Sequence, residues 1–170
     1  MIKLDDFKNN GLSITWKLLY IGFKENKHFA NMLSSEDIIQ YAQAQLANNE
    51  DENIINLACS NSNNIDEINI DLKKLSENDN SDYSIEYRKW RVLYVMKNLP
   101  KSNMDYIKGL VELGDIWAFL DFPEDSPHLF QGKDNNISPL EYYTIENYNN
   151  LYNKHLSWIE QELKMLKSVK

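Results

Sequence analysis

Little in this chain staples or punctuates a fold. Its one cysteine, Cys59, cannot close an internal disulfide. Set in the apolar stretch IINLAC, it is expected to be a small core residue in a reducing cytoplasm. Five glycines are scattered with no GxxxxGKS, GxxxxGKT or GxGxxG among them, which excludes the familiar phosphate-cradling loops. Three histidines supply neither HExxH nor a Cys/His spacing, so a zinc centre has no ligand set, and there is no GxSxG nucleophile. No apolar run approaches the roughly 18 residues of a membrane span. The N-terminus MIKLDDFKNNGLSITWKLLYIGF has acids ahead of its apolar segment and no A-x-A site after it, so no signal peptide is expected. Arginine is scarce: 16 of the 18 bases are lysine, which with abundant asparagine is the footprint of an AT-rich bacterial genome.

What is present is core material. The 170 residues are 42% hydrophobic, with 4 Trp, 10 Tyr and 6 Phe. A chain this long buries about 70% of its unfolded surface without metal or disulfide. One soluble, cytoplasmic domain over 1–170 is expected, with acidic loops near 61–65 and 77–83 as the places of poorest order. Net charge is −8, and it is concentrated. From Asn48 to Tyr83 there are nine acids (Glu50, Asp51, Glu52, Asp66, Glu67, Asp71, Glu77, Asp79, Asp82) against Lys73 and Lys74, giving −7; the remainder, 17 acids and 16 bases, gives −1. Such a field repels nucleic acid and steers a basic partner; equally, it describes a solvated face that keeps a protein in solution.

Helical periodicity runs along the chain. Trp16, Leu19, Tyr20 and Phe23 fall at i, i+3, i+4 and i+7. Ser35 caps SSEDIIQYAQAQL, and a short helix follows from Glu52 to Cys59, entered through the acidic turn NNEDEN. Ile65, Ile68, Leu72 and Leu75 mark the next helix, although NINIDL alternates enough to leave a strand open. In SIEYRKWRVLYVMKNL, Tyr87, Trp90, Tyr94 and Val95 share a face, Arg88 and Arg91 flank it with their stems, and Pro100 enforces a stop. Ser102 or Asn103 caps MDYIKGLVEL, with Ile107, Leu110 and Val111 inward and Gly114 as its end; GDIWAFLDF then continues helically or runs extended. Ser138, Pro139 and Glu141 form a capping box. Ile145, Tyr148, Tyr152, His155, Ile159 and Leu166 stripe a long last helix. The expectation is an all-α fold of about seven helices, irregular or orthogonal, with HEAT-like stacking an alternative.

The segment DFPEDSPHLF, residues 121–130, is the one stretch that looks like the rim of a site. Asp121, Glu124, Asp125 and His128 are its candidate ligands or acid–base groups, but EF-hand spacing is absent. The plainer expectation is a loop shaped by Pro123 and Pro127. Trp117 and Phe119 just before it are expected in the core, and His155, on an apolar helix face, reads as a hydrogen-bonded buried histidine.

GLVELGDIWAFLDFPEDSPHLF followed by NNISPLEYYTIENYNNLYNKHLSWIEQEL resembles a bacterial protein family of unknown function. The string Trp117, Asp121, Pro123, Glu124, Asp125, Pro127 and His128 and the PxEYYT entry to the last helix carry the resemblance, and ITWKLLYIGF and SSEDIIQYA extend it over nearly the whole chain. The pattern is also similar to that of small acidic immunity proteins encoded beside bacterial polymorphic toxins. That resemblance implies a non-catalytic cytoplasmic protein, without cofactor, that blocks a basic toxin domain. It makes Asp66, Glu67, Asp71, Glu77, Asp79, Asp82, Asp121, Glu124, Asp125 and His128 candidate partner contacts. Two other readings stand beside it: a small metal-binding protein or enzyme centred on Asp121, Glu124, Asp125 and His128, and a helical adaptor. A protein partner is expected, with no nucleic acid and no membrane.

Overall fold

The computed structural model describes residues 2–48 and 50–169. Of the turn NNEDEN, Asn49 lies outside the described residues. Among the described residues there are nine α-helices and no strand: α1 (Leu4–Asn9), α2 (Trp16–Tyr20), α3 (Ser35–Gln45), α4 (Glu52–Cys59), α5 (Ile65–Asn78), α6 (Tyr83–Asn98), α7 (Tyr106–Phe119), α8 (Pro139–Tyr142) and α9 (Ile145–Ser168). A π-helical turn, Ile21–Glu25, follows α2, and a 3-10 turn, Leu46–Asn48, follows α3. The all-α expectation holds. The count exceeds about seven because α1 and α8 are too short to show a periodic stripe. The chain divides into two compact units, Met1–Leu93 and Tyr94–Lys170, with the boundary inside α6.

In the first unit α3 packs on α4, α4 on α5, and α2 on α5. Its centre is Trp90, fully buried, with Phe7 edge-on at 4.8 Å and Phe29 stacked at 5.6 Å. The Trp90 indole N–H donates to the Leu18 carbonyl at 2.9 Å, one turn before the helix widens to π. A side-chain donor on a helical carbonyl is one of the few causes that displace the i→i−4 register. A Cβ on Gly22 would lie 2.1 Å from Trp90 Cζ2, so only glycine lets the ring meet the backbone here. Leu18, Leu19, Ile38, Ala42, Ile54, Leu57, Ile68 and Leu72 complete the core; each large aliphatic side chain contributes about 1.5–3 kcal/mol by leaving water.

In the second unit α7 packs on α9. Leu110, Leu113, Ile116 and Trp117 from α7 meet a stripe of Tyr148, Leu151, His155, Ile159 and Leu166 on α9. Gly109 admits the Tyr148 ring, whose Cε2 would lie 2.4 Å from an added Cβ.

Several local expectations change. The α3 cap is Ser34, whose hydroxyl accepts from Asp37 N at 3.2 Å, while Ser35 is buried one position on. The α7 cap is Asp105, accepting from Lys108 N at 3.0 Å, and α7 runs through Gly114 to Phe119. The buried stripe is Gly109, Leu110, Leu113, Ile116 and Trp117, leaving Ile107 and Val111 exposed. Phe119 is exposed rather than core and stacks on Tyr94 at 4.3 Å. Cys59, the last residue of α4, is exposed and not a core residue. Ile65 and Ile145, each the first residue of its helix, are exposed, because a helix's first residue has no preceding turn to pack against. No helix among the described residues is long and apolar enough to cross a membrane.

Candidate functional site

The segment 121–130 begins where α7 stops. Phe122 N donates to Trp117 O at 2.9 Å and Asp121 N to Ala118 O at 3.1 Å. These are the paired bonds of a Schellman helix end, with Asp121 at the position glycine usually fills. Asp121 (φ 58°) and Phe122 (φ 54°) both lie in the left-handed region, tolerable for aspartate and costly, at about 1–3 kcal/mol, for a bulky phenylalanine. The result is a reversal that sets Phe122 edge-on to Phe130 at 4.8 Å, with Lys133 Nζ 4.6 Å above the Phe122 ring. Beyond the reversal Ser126 stabilises the next turn, its hydroxyl accepting from His128 N at 3.1 Å. A cavity of about 310 Å³ lies here, with Glu124, Ser126, His128, Phe130 and Lys133 among its walls.

His128 is buried. Its Nε2 is 3.0 Å from the Tyr142 hydroxyl, and its ring lies 4.5 Å from Phe130 and 5.6 Å from the His155 ring. His155, also buried, accepts the Trp117 indole N–H on Nε2 at 2.7 Å and places Nδ1 2.6 Å from Leu151 O. An indole can only donate and a carbonyl can only accept. His155 is therefore neutral, with its proton on Nδ1. Burial lowers the His155 pKa, opposed by its bond to Leu151. Burial, then repulsion from His155, lowers that of His128 to about 3. Burial raises the Tyr142 hydroxyl to about 12. At neutral pH Trp117, His155, His128 and Tyr142 thus form an uncharged interior network. A histidine whose pKa is lowered so far by burial is a weak base.

The four candidate residues of this segment do not converge. His128 faces inward to Tyr142, whereas Asp121, Glu124 and Asp125 are exposed. Among the described residues no group of three or more His, Cys, Asp or Glu side chains could hold a metal ion.

The acidic candidates of the first unit divide into two sets. Asp79 is half-buried, and its carboxylate accepts from Lys17 N at 3.1 Å and Ser81 N at 2.9 Å. Burial raises its pKa, but these hydrogen bonds and the Lys17 ammonium outweigh burial and lower it. Lys17 Nζ also donates to Asp79 O and Ser81 O, so the 79–82 connection is held to α2. Asp82 caps α6 through Ser84 N at 2.7 Å, and Asp71 lies 3.4 Å from Lys74 Nζ with its side chain largely covered. These three serve local structure. Asp66, Glu67 and Glu77 stand exposed on α5, with Asp66, Ile70, Lys73 and Glu77 at i, i+4, i+7 and i+11 on its outer side. Ile70 is 53% exposed in the middle of that stripe.

Sequence reasoning missed the most buried charged group. Lys89 Nζ bonds both Glu86 oxygens, at 2.8 and 3.0 Å, and the Ser13 carbonyl and hydroxyl, at 3.0 and 2.9 Å, with both charged side chains buried. All three ammonium protons are engaged, so Lys89 cannot serve Ser13 as a base. The only signal in the sequence was the i, i+3 spacing beside Trp90.

The geometry defines an all-helical protein whose described histidines and buried charged groups are engaged within the fold, with acidic and apolar side chains left on its surface. The chain belongs to the family described as "Uncharacterized protein conserved in bacteria" (DUF2247), whose model matches residues 4–163. No curated protein and no solved structure matches it.

Proposed function

We propose that this is a non-catalytic binding protein, a cytoplasmic immunity protein that neutralises a basic bacterial toxin domain by direct contact. The observation that carries the reading is the outer side of α5. There Asp66 stands one turn before a bare Ile70, Lys73 and Glu77 follow as an ion pair at 3.8 Å within the −7 segment, and Glu67 stands exposed on the same helix. Acids of one sign accelerate encounter with a basic surface, and an exposed aliphatic residue among them supplies the apolar contact that holds the encounter. The resemblance that residues 109–130 and 135–163 bear to small acidic immunity proteins supports the same reading. Asp79, Asp82 and Asp71 also hold the local fold.

The test is co-expression with the toxin domain of any secreted protein found to be encoded beside the gene. Protection of the cells, comigration on gel filtration, and loss of both in an Asp66→Lys/Ile70→Lys variant that still folds are expected. Death of cells carrying the wild-type protein, with no complex formed, refutes the reading. A variant that protects as well as the wild type moves the contact off α5.

A further inference from the structure

The corner between α8 and α9 shows its apolar side chains outward. Leu140 is 89% exposed and Ile145 64% exposed, with Tyr143 between them also exposed. Tyr142 is the buried residue of the short helix, its hydroxyl 3.0 Å from His128 Nε2, while Leu140 stands on its outer side. The display is held by local hydrogen bonds. Ser138 Oγ and N both bond Glu141 Oε2, at 2.7 and 2.8 Å, Pro139 sets the first helical residue, and Thr144 caps α9 at Asn147 N. A preorganised apolar group loses little entropy on binding.

Beside these residues lies a cavity of about 390 Å³ lined by Ile137, Glu141, Thr144, Glu146, Asn147 and Asn150. The Ser138 hydroxyl and amide hold the Glu141 carboxyl below its usual range, so its charge is fixed at neutral pH. The α9 N-terminus contributes roughly +0.5 of an elementary charge, which two carboxylates outweigh. From Asp134 to Asn153 there are three acids, Asp134, Glu141 and Glu146, and no base.

We propose that the α8–α9 corner is a docking surface for a basic, apolar protein segment: Leu140, Tyr143 and Ile145 make the apolar contact and the Glu141–Glu146 cavity receives a lysine or arginine. A second copy of this chain is disfavoured, since it would bring Glu141 and Glu146 against their own kind in a molecule of net charge −8. An anionic lipid surface is disfavoured by the same charges. The surface goes beyond the α5 reading and does not depend on it.

The experiment titrates the ¹⁵N-labelled full chain with the blocked pentapeptide Leu-Arg-Leu-Lys-Leu and its counterpart Leu-Glu-Leu-Glu-Leu. Amide shifts concentrated in residues 137–150 with the basic peptide alone are expected, with binding at least fivefold weaker in Leu140→Ser and in Glu146→Gln. Ile145→Ser replaces Leu140→Ser if that variant does not fold. Shifts elsewhere, no shifts, equal response to both peptides, unchanged affinity in the variants, or self-association through the same residues on sedimentation would each overturn the proposal. An Asp66→Lys/Ile70→Lys chain should still bind the basic peptide, which separates failure here from failure of the α5 reading.

Discussion

In residues 1–93 the deepest polar group is an ion pair, Glu86 with Lys89; in residues 94–170 it is the uncharged network of Trp117, His155, His128 and Tyr142. The ion pair joins α6 to the segment around Ser13, and its cost is the desolvation of two charges, offset only while all its bonds are made. The neutral network avoids that cost and instead requires both histidines to stay unprotonated. Glu86 and His128 should therefore respond oppositely to acid. Burial pushes the Glu86 carboxyl up against the pull of Lys89, so the folded state holds its proton more readily than the unfolded chain, and this contribution grows as pH falls. His128 is the reverse. Its folded pKa of about 3 lies below histidine's ordinary 6.5, so the unfolded chain takes up the proton first and stability is lost as pH falls through that window.

The largest effect tests the ion pair. Lys89→Met leaves a buried carboxylate without its partner and should cost about 3–5 kcal/mol in urea denaturation. A double Glu86→Leu/Lys89→Met chain should recover most of that; if the single variant is as stable as the wild type, the pair is not the keystone of its region. Next comes acid. Lowering pH from 7 to 4 should remove on the order of 3 kcal/mol through His128, read as lower protection factors of the α7 and α9 amides once the intrinsic pH dependence of exchange is divided out. Unchanged protection factors there would refute the neutral network.

The glycines under the aromatic rings sharpen the comparison at smaller scale. Gly22→Ala and Gly109→Ala each force a ring aside, at about 1–3 kcal/mol. Gly22→Ala should be the worse, because Trp90 is fixed by Leu18 O and by two aromatic neighbours. Equal melting temperatures for the two variants would mean the regions yield equally. Smallest is Ser138→Ala, expected to cost about 1 kcal/mol by removing the α8 cap, with a detectable fall in thermal midpoint.

Periodicity located most of the helices because apolar residues spaced at i, i+3 and i+4 fall on one side only when the backbone is helical, as Ile68, Leu72 and Leu75 on α5 illustrate. Caps were misplaced by one to three residues at Ser34 and Asp105, where neighbouring serine, asparagine or aspartate could each do the same work. In the 121–130 segment the prolines and acids correctly marked a shaped loop. The left-handed turn at Asp121 and Phe122 was not legible, since aspartate takes up positive φ in only a minority of its positions and phenylalanine rarely does.

By itself the sequence determined the helical class, the concentration of negative charge between Asn48 and Tyr83, and the absence of familiar catalytic motifs. Each is a property of local pattern or composition, which survives without knowing what packs on what. Only the tertiary structure decided that His128 turns inward to Tyr142, that Lys89 is sealed with Glu86, that Asp79 and Asp82 serve the backbone, and that Leu140 stands in water. Those outcomes depend on partners distant in sequence, such as Ser13 for Lys89 or Trp117 for His155, and burial by such partners sets the charge and exposure of each side chain.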